Sequence, residues 1–283
     1  MSQRWFNETL YPDYQQRHLV ERVLYEEKTE FQELVIFESP RFGRILTLDG
    51  VVQVTERDEF VYHEMLTHLP ILAHGQVKKV CIIGGGDGGV LEEVLKHKGV
   101  ERCTMVEIDR KVVDLCVKYM PSICGKAFDD KRTDLVIADG RAFAKNPPEK
   151  YDLMIVDSTD PIGPGEVLFE QGFYADCRNC LTDRGILVTQ SGVSFMQDEE
   201  ARNTHKRLKA LFADATFYVA QVPTYAAGFM TLGWGCKDAK LREVSRDTIE
   251  QRYETAGLDT KYYNPAIHFA AFALPNYIER LKS

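Results

Sequence analysis

The sequence predicts an α/β fold: a parallel sheet with helices on both faces, preceded by a small β-rich segment. Three observations carry this expectation. From residue 79 onward, short apolar runs ending in a polar residue or glycine alternate with amphipathic helical stretches. Residues 1–56 hold instead runs rich in Val, Ile, Leu and Thr, broken by Ser-Pro, Phe-Gly and Asp-Gly. A glycine-rich stretch, "GGGDGG" (84–89), lies where one apolar run passes into a helix.

In chain order, "ELVIFES" (33–39) and "RILTLDGVVQVT" (44–55) read as strands of an N-terminal β-rich domain over 1–56. "TERD" (55–58) has the Thr-x-x-Asp capping pattern and opens a helix over "RDEFVYHEMLTHLP", expected to stop near Pro70. The remainder, 57–283, forms the larger domain, with no flexible linker between the two. "KVCIIGGG", "RCTMVEID", "DLVIADG", "YDLMIVDS" and "GILVTQS" are the strands; "GVLEEVLKHKG" and "RKVVDLCVKYM" are helices between them. Ligands of such sheets bind beyond the carboxyl ends of the strands, a rule that gathers Asp87, Glu107, Asp139, Asp157 and Gln190 on one rim.

Composition narrows the partners. The chain has 283 residues and a formal charge of −8, which argues against nucleic acid and suits a cationic ligand. No run reaches the roughly 18 apolar residues of a membrane span, and the polar start "MSQRWFNETL" does not read as a signal peptide. Seven scattered cysteines read as reduced thiols, which places the protein in the cytoplasm. "HEMLTH" (63–68) spaces its histidines five apart, on different helix faces, so no metal site is expected there. "CRNC" (177–180) has redox spacing but falls late in a helix with no second pair, and reads as packing cysteines, with a zinc or redox pair as the lesser alternative.

The glycine loop follows a strand and precedes a helix, the context in which such loops hold nucleotides. Glu107, about 20 residues on, ends the next strand, where an acid accepts hydrogen bonds from ribose hydroxyls. Asp139-Gly140 ends a further strand and is placed to meet an adenine amine. Pyrophosphate does not suit this loop, because Asp87 would repel it at close range. A nucleoside carrying a sulfonium fits better, which points to S-adenosylmethionine or a relative. Asp87 further favours a tail ending in an ammonium alone, as in the decarboxylated form. A second acidic cluster, "YDLMIVDSTDPIGPGE" (151–166), places Asp157 and Asp160 on a loop stiffened by Pro161 and Pro164. Two further acids near Asp87 make a site for a polycation.

Together these stretches resemble the polyamine aminopropyltransferases: "LDGVVQVTERDEFVYHEM" (48–65), "GGGDGG" (84–89), "VEID" (106–109), "DG" (139–140), "DSTDPIGP" (157–164), "PTYAAG" (223–228) and "YYNPAIH" (262–268). The resemblance implies a Rossmann-like, class I methyltransferase-like doubly wound sheet with a small N-terminal β domain, in a homodimer or homotetramer. It implies transfer of an aminopropyl group from decarboxylated S-adenosylmethionine to putrescine, giving spermidine and 5′-methylthioadenosine, with neither cofactor nor metal. By the same resemblance Gln32 and Glu107 hold the ribose region, Asp139, Gly140 and Pro164 surround the adenine, and Asp87 binds the aminopropyl ammonium. Asp157 is the acid/base group. Gln53, Tyr62, His63, Ser158, Thr159, Asp160, Gln190 and Tyr225 line the amine channel. Some relatives carry Gln where His63 stands, which leaves fine amine preference open.

Three other readings share parts of this pattern. A class I methyltransferase has the same sheet, loop and ribose acid but needs room for a methionine carboxylate, which Asp87 opposes. A polyamine sensor needs the pocket but not Asp157 as a base. A nicotinamide dehydrogenase needs a pyrophosphate site, again opposed by Asp87.

Overall fold

The computed structural model describes residues 3–160 and 163–283; the side chains of 163, 164 and 166 also lie outside the description. The N-terminal part contains six short strands. β1 (Arg4–Asn7) and β2 (Arg17–Val20) form an antiparallel ribbon. β3 (Arg22–Lys28), β4 (Glu33–Ser39), β5 (Gly43–Leu48) and β6 (Val51–Thr55) form an antiparallel four-stranded sheet. Asp49-Gly50 makes the β5–β6 turn with both φ angles positive, 48° and 77°. Two-residue hairpins require this geometry, and Asp-Gly adopts it at low cost.

The helix that follows, α1 (Glu59–His74), departs from expectation at both ends. It runs through Pro70 to an αL cap at Gly75. Every residue from Val61 to His74 is buried, and that burial outweighs the roughly 3 kcal/mol that an internal proline costs. At its start Asp58 is the boundary residue, yet its carboxylate does not cap the helix. One oxygen accepts from Thr55 Oγ1 at 2.6 Å, the other from Thr224 N–H at 2.7 Å. The acid of "TERD" therefore ties the start of α1 to a distant loop.

The large sheet comprises β7 (Lys79–Gly84), β8 (Arg102–Glu107), β9 (Thr133–Ile137), β10 (Tyr151–Asp157), β11 (Leu181–Val193), β12 (Asp214–Ala220) and β13 (Met230–Cys236), in spatial order β12-β13-β11-β10-β7-β8-β9. Five strands are parallel, and β12 and β13 add an antiparallel edge, so the sheet is mixed rather than wholly parallel. Helices α2 (Gly89–Lys96), α3 (Arg110–Tyr119), α4 (Pro121–Cys124), α5 (Gly140–Lys145), α6 (Gln171–Cys180) and α7 (Asp198–Leu211) connect the strands. α8 (Arg246–Ala256) and α9 (Pro265–Ala270) follow the last strand. This is the Rossmann-like architecture, with its small β domain in front.

Strand order reverses between β7 and β10, which are neighbours in the sheet although β8 and β9 intervene in the chain. A crevice forms where connections leave in opposite directions, and ligands of such sheets bind there. The register sets Gly84 beside Asp157, so the glycine loop and the second acidic cluster meet at this crevice. The N-terminal sheet closes over it: Leu34, Ile36, Leu46, Leu48 and Val54 share one apolar cluster with Val112, Leu115 and Cys116 of α3. All seven cysteines are free and buried, and among the described residues no helix is long and apolar enough to cross a membrane.

Candidate active site

A cavity of about 340 Å³ opens at the crevice. Six carboxylates line it: Glu8, Asp49, Asp87, Glu107, Asp157 and Asp160. Among its described lining residues there is no lysine, arginine or histidine. The acids thus have no built-in cation in the wall, and the field inside the cavity favours a positively charged ligand.

The apolar run of β10 carries Asp157 to the end of its strand. Gly84–Gly86 make room for it. Gly85 has φ +71°, and a Cβ there would stand 2.9 Å from Asp157 Oδ2. Its N–H donates to the Asp157 carbonyl at 3.0 Å. The glycine loop thereby admits a carboxylate from the neighbouring strand. Tyr62, one turn into α1, donates its hydroxyl to Asp157 Oδ1 at 2.8 Å. Burial, and then the negative charge of Asp87, push the Asp157 carboxyl up to about 7. Burial also raises the Tyr62 and Tyr225 hydroxyls well above their ordinary value, with the Asp157 charge adding to the effect. Tyr62 therefore keeps its proton at neutral pH and serves Asp157 as a hydrogen-bond donor.

Asp87 has a local and a cavity-facing part. Its Oδ1 accepts from the N–H of Gly89, the first residue of α2, at 2.7 Å. Oδ2 has no hydrogen-bond partner among the described residues. Glu107 ends β8, and its Oε1 accepts from the Asp109 N–H at 2.9 Å. Burial raises its carboxyl to about 7 despite that bond. Gln32 reaches the same corner, donating to Asp109 Oδ2 at 3.2 Å. At the other end, Asp160 Oδ1 accepts from Gln197 Nε2 at 2.5 Å, and burial raises its carboxyl. Gln190 spans strand and loop: its Oε1 accepts from Gly192 N–H at 2.6 Å, and its Nε2 donates to the Ser158 carbonyl. Tyr225 donates to the Gln53 carbonyl at 2.6 Å, joining the loop after β12 to β6.

Gln32, Gln53, Tyr62, Asp87, Glu107, Asp157, Ser158, Thr159, Asp160, Gln190 and Tyr225 all line the one cavity. Three expected residues stand elsewhere. His63 lies behind Asp87, its Nε2 3.6 Å from Asp87 Oδ1, and lines a small separate void with Tyr62 and Tyr225. Asp139 is exposed at the start of α5, where its Oδ1 caps the helix by accepting from Arg141 and Ala142 N–H groups. Neither it nor Gly140 is in the cavity wall. The Pro164 side chain lies outside the described residues.

Wall residues that the sequence reading did not single out include Glu8, Tyr11, Gln16, Asp49, Gln197 and Thr224. Glu8 is fixed by the Val52 N–H at 3.0 Å, and burial, opposed by that bond, raises its carboxyl. Gln16 donates to the Thr224 carbonyl at 2.7 Å. "NETLYPDYQQ" (7–16) has neither helical nor strand periodicity and carries no motif; only its fold-back over the crevice brings it to the cavity.

The chain matches known proteins along nearly its whole length. Residues 59–246 match the family model described as "Spermine/spermidine synthase domain", and 4–56 match "Spermidine synthase tetramerisation domain". The chain is 56% identical over 273 residues to polyamine aminopropyltransferase 1 of Pseudomonas aeruginosa, covering 96% of both chains. It is 55% identical over 274 residues to the polyamine aminopropyltransferase of Serratia proteamaculans, covering 97% of this chain and 95% of the other. A solved spermidine synthase in complex with the transition-state analogue AdoDATO superposes with a TM-score of 0.94 at 33% identity, covering 99% of this chain and 94% of that one. The spermidine synthase of Thermotoga maritima superposes with a TM-score of 0.91 at 32% identity and the same coverage. Sequence likeness along nearly the whole length, together with a shared fold, means that the chain belongs to the spermine/spermidine synthase family of polyamine aminopropyltransferases.

Proposed function

We propose that this aminopropyltransferase moves the aminopropyl group of decarboxylated S-adenosylmethionine onto putrescine, releasing spermidine and 5′-methylthioadenosine. The observation that carries the reading is the ring of six carboxylates around a cavity with no cationic side chain in its described wall. Both proposed substrates are cations. A tail bearing a carboxylate as well as an ammonium would meet Asp87 with like charge, which disfavours intact S-adenosylmethionine.

In the proposed reaction the putrescine nitrogen attacks the carbon next to the sulfonium. The nitrogen lone pair forms the C–N bond, and the C–S pair leaves with sulfur as a neutral thioether. Departure needs no acid, so the protein has two tasks: alignment of the two reactants and removal of one proton. Asp157 takes the proton. A free alkylammonium has a pKa near 10, about six units above an ordinary aspartate. Raising Asp157 to about 7 halves that gap. The sulfonium adds to this by disfavouring protonation of the nearby amine. Tyr62, donating to Asp157 Oδ1, fixes the carboxylate so that Oδ2 is left for the amine. Asp160 and its neighbours hold the far ammonium, Asp87 the aminopropyl ammonium, and Gln32 and Glu107 the ribose. Asp139, Gly140 and Pro164 belong to the adenine end. No cofactor or metal takes part. The match to a tetramerisation-domain model supports a homo-oligomer, dimer or tetramer.

Supplying the decarboxylated donor with a panel of diamines and identifying products by mass tests the reading. Spermidine and methylthioadenosine are the expected products. Methyl transfer from S-adenosylmethionine, or putrescine binding without turnover, would overturn it. Asp157→Asn is expected to lower kcat at least about 100-fold with little effect on methylthioadenosine binding. A near-wild-type rate would remove Asp157 from the base role.

A further inference from the structure

Behind Asp87, outside the wall of the main cavity, lies a second charged arrangement. His63 is almost wholly buried, at 1% exposure. Its Nδ1 stands 2.8 Å from Glu59 Oε2, one helical turn earlier on α1, and its Nε2 stands 3.6 Å from Asp87 Oδ1. Glu59 is at hydrogen-bond distance and Asp87 at ion-pair distance; a neutral imidazole satisfies only the first, whereas an imidazolium also sets a positive charge beside Asp87. Gly89 fixes the ring in this place. A Cβ at Gly89 would stand 2.1 Å from His63 Cε1, so the imidazole occupies the space a side chain there would fill.

We infer that His63 is the internal counter-cation of Asp87, positioned by Glu59, and that it gives up its proton when a ligand ammonium takes over that charge. The inference rests on the reading of the ligand given above and adds to it a protonation step. In the empty protein the Asp87 carboxylate is balanced by a buried imidazolium. A ligand ammonium at Asp87 Oδ2 places two positive charges around one carboxylate in a poorly solvated site, and the imidazole is the one that can become neutral. The nitrogen lone pair stays on His63 and the proton leaves to solvent, so donor binding and proton release are linked.

The other groups facing His63 point the same way. Asp58, Glu59 and Tyr62 lie on or beside the start of α1, Asp87 before α2, Asp157 at the end of β10, and Tyr225 on the loop after β12. All are acidic or neutral. Burial lowers the tendency of His63 to hold a proton, but Asp87 and Glu59 together reverse this and raise it well above the ordinary histidine value. Glu59 is not in the wall of the main cavity, and its carboxylate meets His63 Nδ1 at 2.8 Å.

Calorimetric titration of the whole protein near pH 7, repeated in buffers of different ionisation enthalpy, counts the protons exchanged. Wild-type protein is expected to release up to about one proton more than His63→Gln or Glu59→Gln when decarboxylated S-adenosylmethionine binds. Methylthioadenosine, which has no ammonium, is expected to release the same number from all three. Equal release from the three proteins with the donor overturns the inference. Nitrogen chemical shifts of the His63 ring in the wild type give a readout independent of variant folding, with His63→Gln used only to assign the signal. A change from imidazolium to neutral on donor addition supports the inference, and an unchanged protonation state overturns it. Absence of donor binding in the wild type would instead overturn the ligand reading on which the inference stands.

Discussion

Glu107, buried, and Asp157, half-buried, end strands that are neighbours but one, and each is raised to about 7. That placement opposes stability in the empty protein. An acid whose folded pKa exceeds its unfolded value binds more protons folded than unfolded over the interval between them. Stability is therefore greatest below the unfolded value and falls as pH rises through the folded one. For Asp157 the interval runs from 3.8 to about 7, a loss of at most roughly 4 kcal/mol. Denaturant unfolding of ligand-free Asp157→Asn is expected to show greater stability than wild type at pH 8, with the difference shrinking toward pH 4. An unchanged difference across that range would mean that Asp157 is not held protonated. Gly85→Ala tests the same site from the opposite side. Its Cβ would meet Asp157 Oδ2 at 2.9 Å from a backbone with φ +71°. Loss of at least about 10-fold in kcat is expected, from a misplaced base. Asp87, Asp157 and Asp160 were legible as a set because strand-end placement and proline-stiffened turns leave signals in sequence. Glu8 was not, because its role depends on a fold-back with no local pattern.

α1 shows how one helix serves chemistry and architecture together. Tyr62 holds Asp157, His63 backs Asp87, and the next residue, Glu64, faces away from the cavity. Its two oxygens accept from the N–H groups of Lys261, Tyr262 and Tyr263 at 2.8, 2.8 and 2.7 Å. The stretch "YYNPAIH" therefore contributes through its backbone, pinning the C-terminal segment to the helix that carries the site. Tyr263 Oη adds a contact to His268 Nδ1 at 2.7 Å within that segment. Glu64→Ala would leave three N–H groups without their acceptor, one of them on the buried Tyr263 and one on the half-buried Tyr262. A destabilisation of about 2–4 kcal/mol is expected, read as a lower Tm, with KM for the donor changing less than kcat. A Tm within a degree of wild type would show that the segment is held by its apolar contacts alone. The sequence marked the start of α1 well and its end poorly. The Pro70 signal is local, whereas the burial that overrides it comes from α2, α8 and the sheet packing around the helix. The antiparallel strands β12 and β13 were likewise missed, since "DATFYVA" and "MTLGWGC" mix small residues with large ones and show no clean alternation.

At the scale of the whole chain, the cavity exists only because the two parts share it. Asp87, Glu107, Asp157 and Asp160 lie at or just beyond strand ends of the large sheet, while Glu8 follows β1 and Asp49 sits in the β5–β6 turn of the N-terminal part. The alternation of strands and helices could place the first three on one rim, and the proline-stiffened loop placed Asp160 above it. No pattern could place the other two, because that depends on the apolar cluster joining β4–β6 to α3. The result is a cavity whose field is set by six acids inside a chain of net charge −8. Such a field draws small cations toward the opening and is screened by salt, with a Debye length of about 8 Å at 0.15 M ionic strength. Raising NaCl from about 0.02 to 0.3 M is expected to lower kcat/KM for the diamine several-fold, about 3- to 10-fold, while kcat at saturating amine changes little. Screening acts on approach and capture; the charges inside the filled cavity are shielded from mobile ions by the bound substrates. Inhibition by methylthioadenosine, which has no charge, should keep its constant over the same range and thereby control for general salt effects. A diamine kcat/KM as insensitive to salt as methylthioadenosine binding would mean that the acids recognise their ligands only at contact, through hydrogen bonds.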